Sequence, residues 1–111
     1  MTQQELEQKV GQLQLIEHSM NNFMAQKQNF QSQLVETENA LEEMEKNQGE
    51  VFKVIGTIMV KSDKGSIKKD LESKKEMLGL RLKNIEKQER SLKEKASKLQ
   101  QEVMEAIKEK K

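Results

Sequence analysis

The sequence predicts a mainly α-helical protein, a long antiparallel two-helix coiled coil whose helices are joined by a single central β-hairpin. Of its 111 residues, 33% are hydrophobic and 35% are charged, a profile typical of long helices rather than of a globular core. Proline is absent, so no residue forbids uninterrupted helices. Apolar residues recur every seven positions on both sides of a short β-branched run at residues 51–60.

The first helix is predicted over residues 3–47. Thr2, followed three residues later by Glu5, has the form of a capping box. An apolar seam then continues for about six heptads. Its two rows are Leu6, Leu13, Met20, Lys27, Leu34 and Leu41, and Lys9, Ile16, Phe23, Phe30, Thr37 and Met44. Asn47-Gln48-Gly49 is predicted to end the helix, with Gly49 as a left-handed C-cap.

The β-hairpin is predicted over residues 51–60, where seven of ten residues are apolar and five of those are Val or Ile. Gly56 divides the run, which places the turn at Ile55-Gly56. Neither half alternates cleanly between apolar and polar residues, so both faces require burial that one free hairpin does not provide. We therefore expect other chains to complete it. The residues expected to make these contacts are Val51, Phe52, Val54, Ile55, Ile58, Met59 and Val60.

The second helix is predicted over residues 66–109, after a polar loop at residues 61–65 and with Ser66 as its N-cap. It also carries a heptad seam. The stronger row is Leu71, Leu78, Ile85, Leu92, Leu99 and Ala106, and the weaker row is Lys68, Lys75, Leu82, Glu89, Ala96 and Val103. Two helices of equal length joined by a short hairpin fold back antiparallel, so facing residues are predicted to have numbers that sum to 112. Polar Lys27 and Glu89 then lie in adjacent layers, close enough to pair.

The charge distribution favours the same antiparallel arrangement. Residues 1–60 hold four Lys and nine Glu, a net charge of −5, and residues 61–111 have a net charge of +6. Glutamates are concentrated near the end of the first helix and lysines near the start of the second. Antiparallel pairing brings these two clusters together. Exposed ion pairs contribute little each, so the pattern indicates orientation rather than large stability.

Several classes of function are disfavoured by the composition. Cysteine is absent, which excludes disulfides and thiolate metal sites and is compatible with a cytosolic location. The single histidine, His18, lies off the seam, and neither a nucleophile–base pair nor a Gly-rich phosphate loop is present. We therefore expect no enzymatic activity, cofactor or metal. Scarce Arg and few aromatic residues argue against nucleic acid, and no signal peptide or membrane-length apolar run is visible.

The ends of the helices far from the hairpin carry apolar residues off the seam. Val10 and Leu15 lie near the start of the first helix, and Met104 and Ile107 near the end of the second. The seam is weak there, so we expect these ends to fray and to expose small apolar patches. Fraying without a role is one interpretation, and an adaptable hydrophobic grip is the other.

This layout resembles the beta-type subunit of prefoldin over nearly the whole chain. The most specific part is the run from Val51 to Lys61, VFKVIGTIMVK, and residues 82–94, LKNIEKQERSLKE, resemble the second helix of that family. A single hairpin favours the beta type, since alpha-type subunits carry two.

The resemblance implies an ATP-independent holdase, a cytoplasmic hexamer of two alpha and four beta subunits. The hairpins would assemble into β-barrels between subunits, and the coiled-coil tips would hold non-native polypeptides and deliver them to a group II chaperonin. The tip residues would be Leu6, Val10, Leu13, Leu99, Val103, Met104 and Ile107. Lys108, Lys110 and Lys111 would contact the chaperonin. The alternative from another class is a structural tether that oligomerises through its hairpin and has no need of apolar residues at its tip.

Overall fold

Two long helices flank a central hairpin in the computed structural model, which describes residues 1–47 and 49–109. The elements are α1 (Gln3–Lys46), β1 (Val51–Ile55), β2 (Ile58–Ser62) and α2 (Lys64–Glu109). The helices contain 44 and 46 residues, so the predicted fold class is confirmed.

Helix α1 begins at the predicted cap. The amide of Glu5 donates to Thr2 Oγ1 at 3.1 Å, which satisfies one of the N–H groups that a helix start leaves unpaired. At the other end, Asn47 Oδ1 accepts a hydrogen bond from the Gly49 amide at 2.8 Å, and the Lys64 ammonium donates to the Asn47 carbonyl. Gln48, the middle residue of the predicted stop signal, lies outside the described residues.

The heptad seams are the buried faces of the helices. All twelve predicted seam positions of α1 are buried or half-buried, and Thr37 and Met44 are the fully buried ones. In α2 the seam is buried or half-buried except at Lys68 and Lys75, which are exposed. Leu78 is 1% exposed and lies deepest in the core. The seven-residue repeat therefore predicts the packing face correctly, and the two lysines deviate because their long side chains extend into solvent.

The hairpin is antiparallel and its turn lies one residue later than predicted. Ile55 is the Cα partner of Ile58, so Gly56 and Thr57 form the turn rather than Ile55 and Gly56. Gly56 has a φ of 61°, and no non-glycine residue has a positive φ among those the structure describes. Positive φ at the first turn position alone fits a type II′ turn, which favours Gly there and matches the twist of the strands. The second strand extends beyond Val60 to Ser62.

Helix α2 begins earlier than predicted, at Lys64, with Asp63 as its N-cap. Asp63 Oδ2 accepts a hydrogen bond from the Ser66 amide at 3.1 Å, and the Asp63 carbonyl accepts one from Ile67. The prediction that Ser66 caps this helix is therefore wrong. Both residue types cap helices well, but a carboxylate also interacts favourably with the positive end of the helix dipole.

The chain forms two compact units, and the helical segments run antiparallel within each. The first comprises Met1–Lys27 and the described part of Lys83–Lys111, and the second comprises Gln28–Leu82. In the first unit, Lys9 Nζ lies 2.5 Å from Glu102 Oε2 and Lys27 Nζ lies 3.5 Å from Glu89 Oε1. The predicted pairing of Lys27 with Glu89 is thus confirmed.

The second unit shows the same direction of pairing. The Arg81 guanidinium lies 5.7 Å from the centre of the Phe30 ring, and Lys75 Nζ lies 4.0 Å from Glu38 Oε1. The second contact joins the acidic and basic clusters, as the charge pattern predicts. In the hairpin the partner numbers sum to 113 rather than 112, because the turn is centred between Gly56 and Thr57.

Candidate binding surfaces

The hairpin exposes apolar side chains on both of its faces. Cross-strand neighbours share a face, so Val54 and Met59 lie on one side and Ile55 and Ile58 on the other. These four side chains are between 59% and 67% exposed. Large apolar residues are rarely left this open on both faces of a two-stranded sheet, which is at best marginally stable alone. The hairpin is therefore an incomplete β structure.

The base of the hairpin borders the helices of the second unit. Met44, Val51, Phe52, Ile67 and Leu71 contribute to the lining of a depression of about 400 Å³ beside β1. Val51 is half-buried here, whereas the other six residues of the predicted assembly set are exposed. Val51 therefore serves mainly to join the hairpin to its own helices.

The tip residues divide into buried and exposed groups. Val103 is buried at 9% exposure and Ala106 at 5%, while Leu6, Leu13 and Leu99 are half-buried. Both helices are formed up to Gln3 and Glu109. The exposed tip residues are those off the seam: Val10, Met104 and Ile107, at 39%, 60% and 47%.

An ion pair accounts for the order of the tip. Lys9 occupies a seam position, where an ammonium group would weaken packing, but its side chain reaches outward to Glu102 at 2.5 Å. The hydrogen bond from Lys9 lowers the pKa of Glu102 below its ordinary value of 4.5, and the positive charge of Lys98 acts in the same direction. The Lys9 ammonium group therefore lies outside the seam, and the buried Val103 side chain packs within it.

The predicted lysine contact is described only in part. Lys108 is exposed near the end of α2, and Lys110 and Lys111 lie outside the described residues. Lys108 directly follows the exposed Ile107 in the chain.

The remaining features of the chain concern chemistry and membranes. His18 is exposed on α1. Among residues 1–47 and 49–109, no three His, Cys, Asp or Glu side chains are grouped so that they could hold a metal ion. Neither helix, over its described length, contains a stretch long and apolar enough to cross a membrane.

Comparison with known proteins gives one consistent result. The family model described as prefoldin subunit matches residues 7–110. The prefoldin subunit beta of Thermococcus onnurineus is 39% identical over 100 residues, covering 88% of this chain and 86% of that protein. The prefoldin subunit beta of Archaeoglobus fulgidus is 35% identical over 96 residues, covering 85% and 83%.

A solved structure agrees with the sequence relatives. The crystal structure of the prefoldin beta subunit from Thermococcus strain KS-1 superposes with a TM-score of 0.84 at 33% identity, covering 92% of this chain and 91% of that one. The likeness therefore covers most of both chains.

Proposed function

Because this chain belongs to the prefoldin subunit family and is similar throughout to its beta-type members, we propose that it acts as an ATP-independent holdase within a prefoldin complex. It binds non-native polypeptides at its coiled-coil tip and delivers them to a group II chaperonin. The complex is a cytoplasmic hexamer of two alpha and four beta subunits. The observation that carries the proposal is that one chain has both an incomplete apolar hairpin and exposed apolar residues near the start of α1 and the end of α2.

The hairpin supports the assembly part of this proposal. Its edges present unpaired N–H and C=O groups, and its faces present Val54, Ile58 and Met59. Strands from neighbouring subunits would satisfy both at once by closing a β-barrel, which leaves no free edge. Contacts with alpha-type and other beta-type subunits are therefore assigned to this element.

The tip supports the client-binding part. Val10, Met104 and Ile107 are exposed beside a closed seam, so an apolar segment can bind them without unfolding the coiled coil. Met adapts to partners of irregular shape because its side chain is unbranched and flexible. Each tip offers a small area, so several tips on one body would hold a client together and gain affinity through multivalency.

Replacing Val10, Met104 and Ile107 with Ser tests the tip. We expect the variant to assemble normally with an alpha-type partner and to suppress the thermal aggregation of an unfolded client several-fold less well, because the exposed apolar area at each tip is reduced. A matched triple replacement of exposed polar residues Gln14, Asn21 and Asn22 with Ser serves as the control. Suppression equal to that of the unmodified complex would contradict client binding at the tip and would favour a structural tether.

A further inference from the structure

A second apolar surface lies on the flank of the first unit, between the two helices. It is a groove of about 560 Å³ with Ile16 of α1 and Leu92 and Leu99 of α2 in its lining. Leu15 forms part of its wall and is 68% exposed, the most exposed large apolar residue of the described chain. The groove shares Leu99 with the predicted tip set, whereas the exposed tip residues Val10, Met104 and Ile107 do not line it.

The heptad pattern explains why a groove forms at this place. The predicted heptad register pairs Ala96 with Ile16, and a methyl group would fill little of that core layer. Ile16, Leu92 and Leu99 occupy seam positions and are half-buried, so their side chains are partly accessible from the groove. Leu15 lies next to Ile16 but off the seam, so its side chain projects beside the opening rather than into the core.

The rim of the groove is positively charged. Lys95 and Lys98 line it, and within residues 1–47 and 49–109 neither forms an ion pair. The carboxylate at the rim, Glu102, is already paired with Lys9. The charged residues in the lining, Lys95, Lys98 and Glu102, have a net charge of +1 beside an apolar floor.

We propose that this groove is a client subsite that selects extended polypeptide segments in which aliphatic side chains are flanked by carboxylates. The aliphatic side chains cover Leu15, Ile16, Leu92 and Leu99, and the flanking Asp or Glu residues lie against Lys95 and Lys98. This inference rests on the proposed holdase function and adds a preference in substrate chemistry to it. Charge complementarity favours this occupant, because carboxylates that flank the aliphatic side chains gain ion pairs with Lys95 and Lys98 at the rim.

Peptide binding to the assembled complex tests the proposal. One fluorescent peptide alternates leucine with aspartate, and the matched peptide has asparagine in place of aspartate. We expect the combined Lys95→Gln and Lys98→Gln variant to bind the acidic peptide about three- to tenfold more weakly at low salt, with little change for the neutral peptide. The difference should largely disappear at about 0.5 M salt, where exposed charges are screened.

Leu15→Ser separates the apolar part of the subsite from its charge. We expect it to weaken both peptides by up to about tenfold, because the exposed leucine loses the partner area that binding would bury. Lys83→Gln with Lys87→Gln is the charge-matched control, and Met24→Ser is the matched apolar control. All three control positions are exposed and lie outside the groove.

The outcomes distinguish the subsite from the holdase function itself. If the complex suppresses client aggregation but Leu15→Ser binds both peptides normally, the groove proposal is overturned and the holdase function stands. If the Lys95 and Lys98 replacements weaken the binding of both peptides equally, the charge selection is overturned. It is also overturned if the Lys83 and Lys87 replacements weaken binding of the acidic peptide as much as the Lys95 and Lys98 replacements do. A changed sedimentation mass for Leu15→Ser would identify the groove as a subunit contact instead. A complex that neither binds peptide nor suppresses aggregation overturns both proposals.

Discussion

At the residue scale, the polar pair in the middle of the seam is the least usual feature of the core. The Glu89 side chain is 12% exposed, and its Oε1 accepts no hydrogen bond within the described residues although Lys27 Nζ lies 3.5 Å away. The charge of the Glu89 carboxylate is therefore compensated by Lys27, but its Oε1 lacks a hydrogen bond. Such a pair fixes the register of a coiled coil at some cost in stability.

Lys27→Met is expected to lower the free energy of unfolding by about 1–3 kcal/mol, because it leaves the Glu89 carboxylate without its counter-charge. The estimate is reduced from that for a fully buried pair because Lys27 is about a third exposed. Leucine at both positions should restore stability or exceed it. Urea unfolding followed by circular dichroism measures both variants. If Lys27→Met is no worse than Lys83→Met at an exposed position, the pair has no such role.

The pairing of Lys9 with Glu102 predicts a pH-dependent tip. Since this contact lowers the pKa of Glu102, its stabilisation is fully present above pH 4.5 and is lost as the pH falls through the lowered pKa. We expect Glu102→Gln to melt at a lower temperature than the unmodified chain at pH 7, and the difference to shrink as the pH falls below about 4.5. Thermal melts across this range measure it, with Glu105→Gln as the control. A difference independent of pH would contradict the assignment.

These two pairs also indicate what the sequence can and cannot predict about single residues. Lys27 and Glu89 both occupy seam positions in adjacent layers, so the heptad register predicts their contact. Lys9 also occupies a seam position, but its partner Glu102 lies off the seam. The flexible lysine side chain selects a carboxylate that periodicity does not identify. The ion pair between Lys9 and Glu102 is therefore a contact of the tip that the heptad pattern does not predict.

At the scale of elements, the hairpin and the helix starts show where local signals compete. Val51 to Val60 predicts the hairpin correctly, yet a single Gly56 is compatible with a turn placed on either side of it. Strand twist selects the two-residue turn at Gly56-Thr57. Asp63 and Ser66 are both good caps within four residues of each other, and the sequence pattern does not decide between them.

Ile58→Asp tests the role of the hairpin as an element. The residue is exposed in the single chain, so a carboxylate there should leave both helices formed. It would be buried if partner strands cover this face, and an unpaired buried charge is costly enough to prevent assembly. We expect unchanged helical circular dichroism and loss of the hexamer in sedimentation. Thr57→Asp, which places the same charge at the turn, is the control. An intact complex with Ile58→Asp would contradict the β-barrel assignment.

At the scale of the whole molecule, the two helices bury their apolar seams within the chain, whereas the hairpin leaves apolar side chains exposed on both faces. The amino acid pattern predicts this division because heptads pair within one chain while the run at residues 51–60 has apolar residues on both faces. The pattern does not specify which partner supplies the missing strands. That choice depends on the shape of surfaces that belong to other chains.

Mixing with an alpha-type subunit is the corresponding test. We expect the purified chain alone to sediment without a discrete hexamer, and a defined hexamer to form when the alpha-type subunit is added in a ratio of one to two. Sedimentation velocity at matched concentrations measures both samples. A stable dimer or trimer that ignores the added subunit would favour the structural tether.

The exposed apolar faces of the hairpin also have a consequence for the amount of this protein that is made relative to its partners. A copy made in excess of its partners would expose the apolar faces and unpaired strand edges of its hairpin to other proteins. Surplus copies would then aggregate or be removed by proteases, while copies in complexes would be protected. If other subunits cover the hairpin as proposed, balanced production of this chain and its partners would follow from the exposed faces of two five-residue strands.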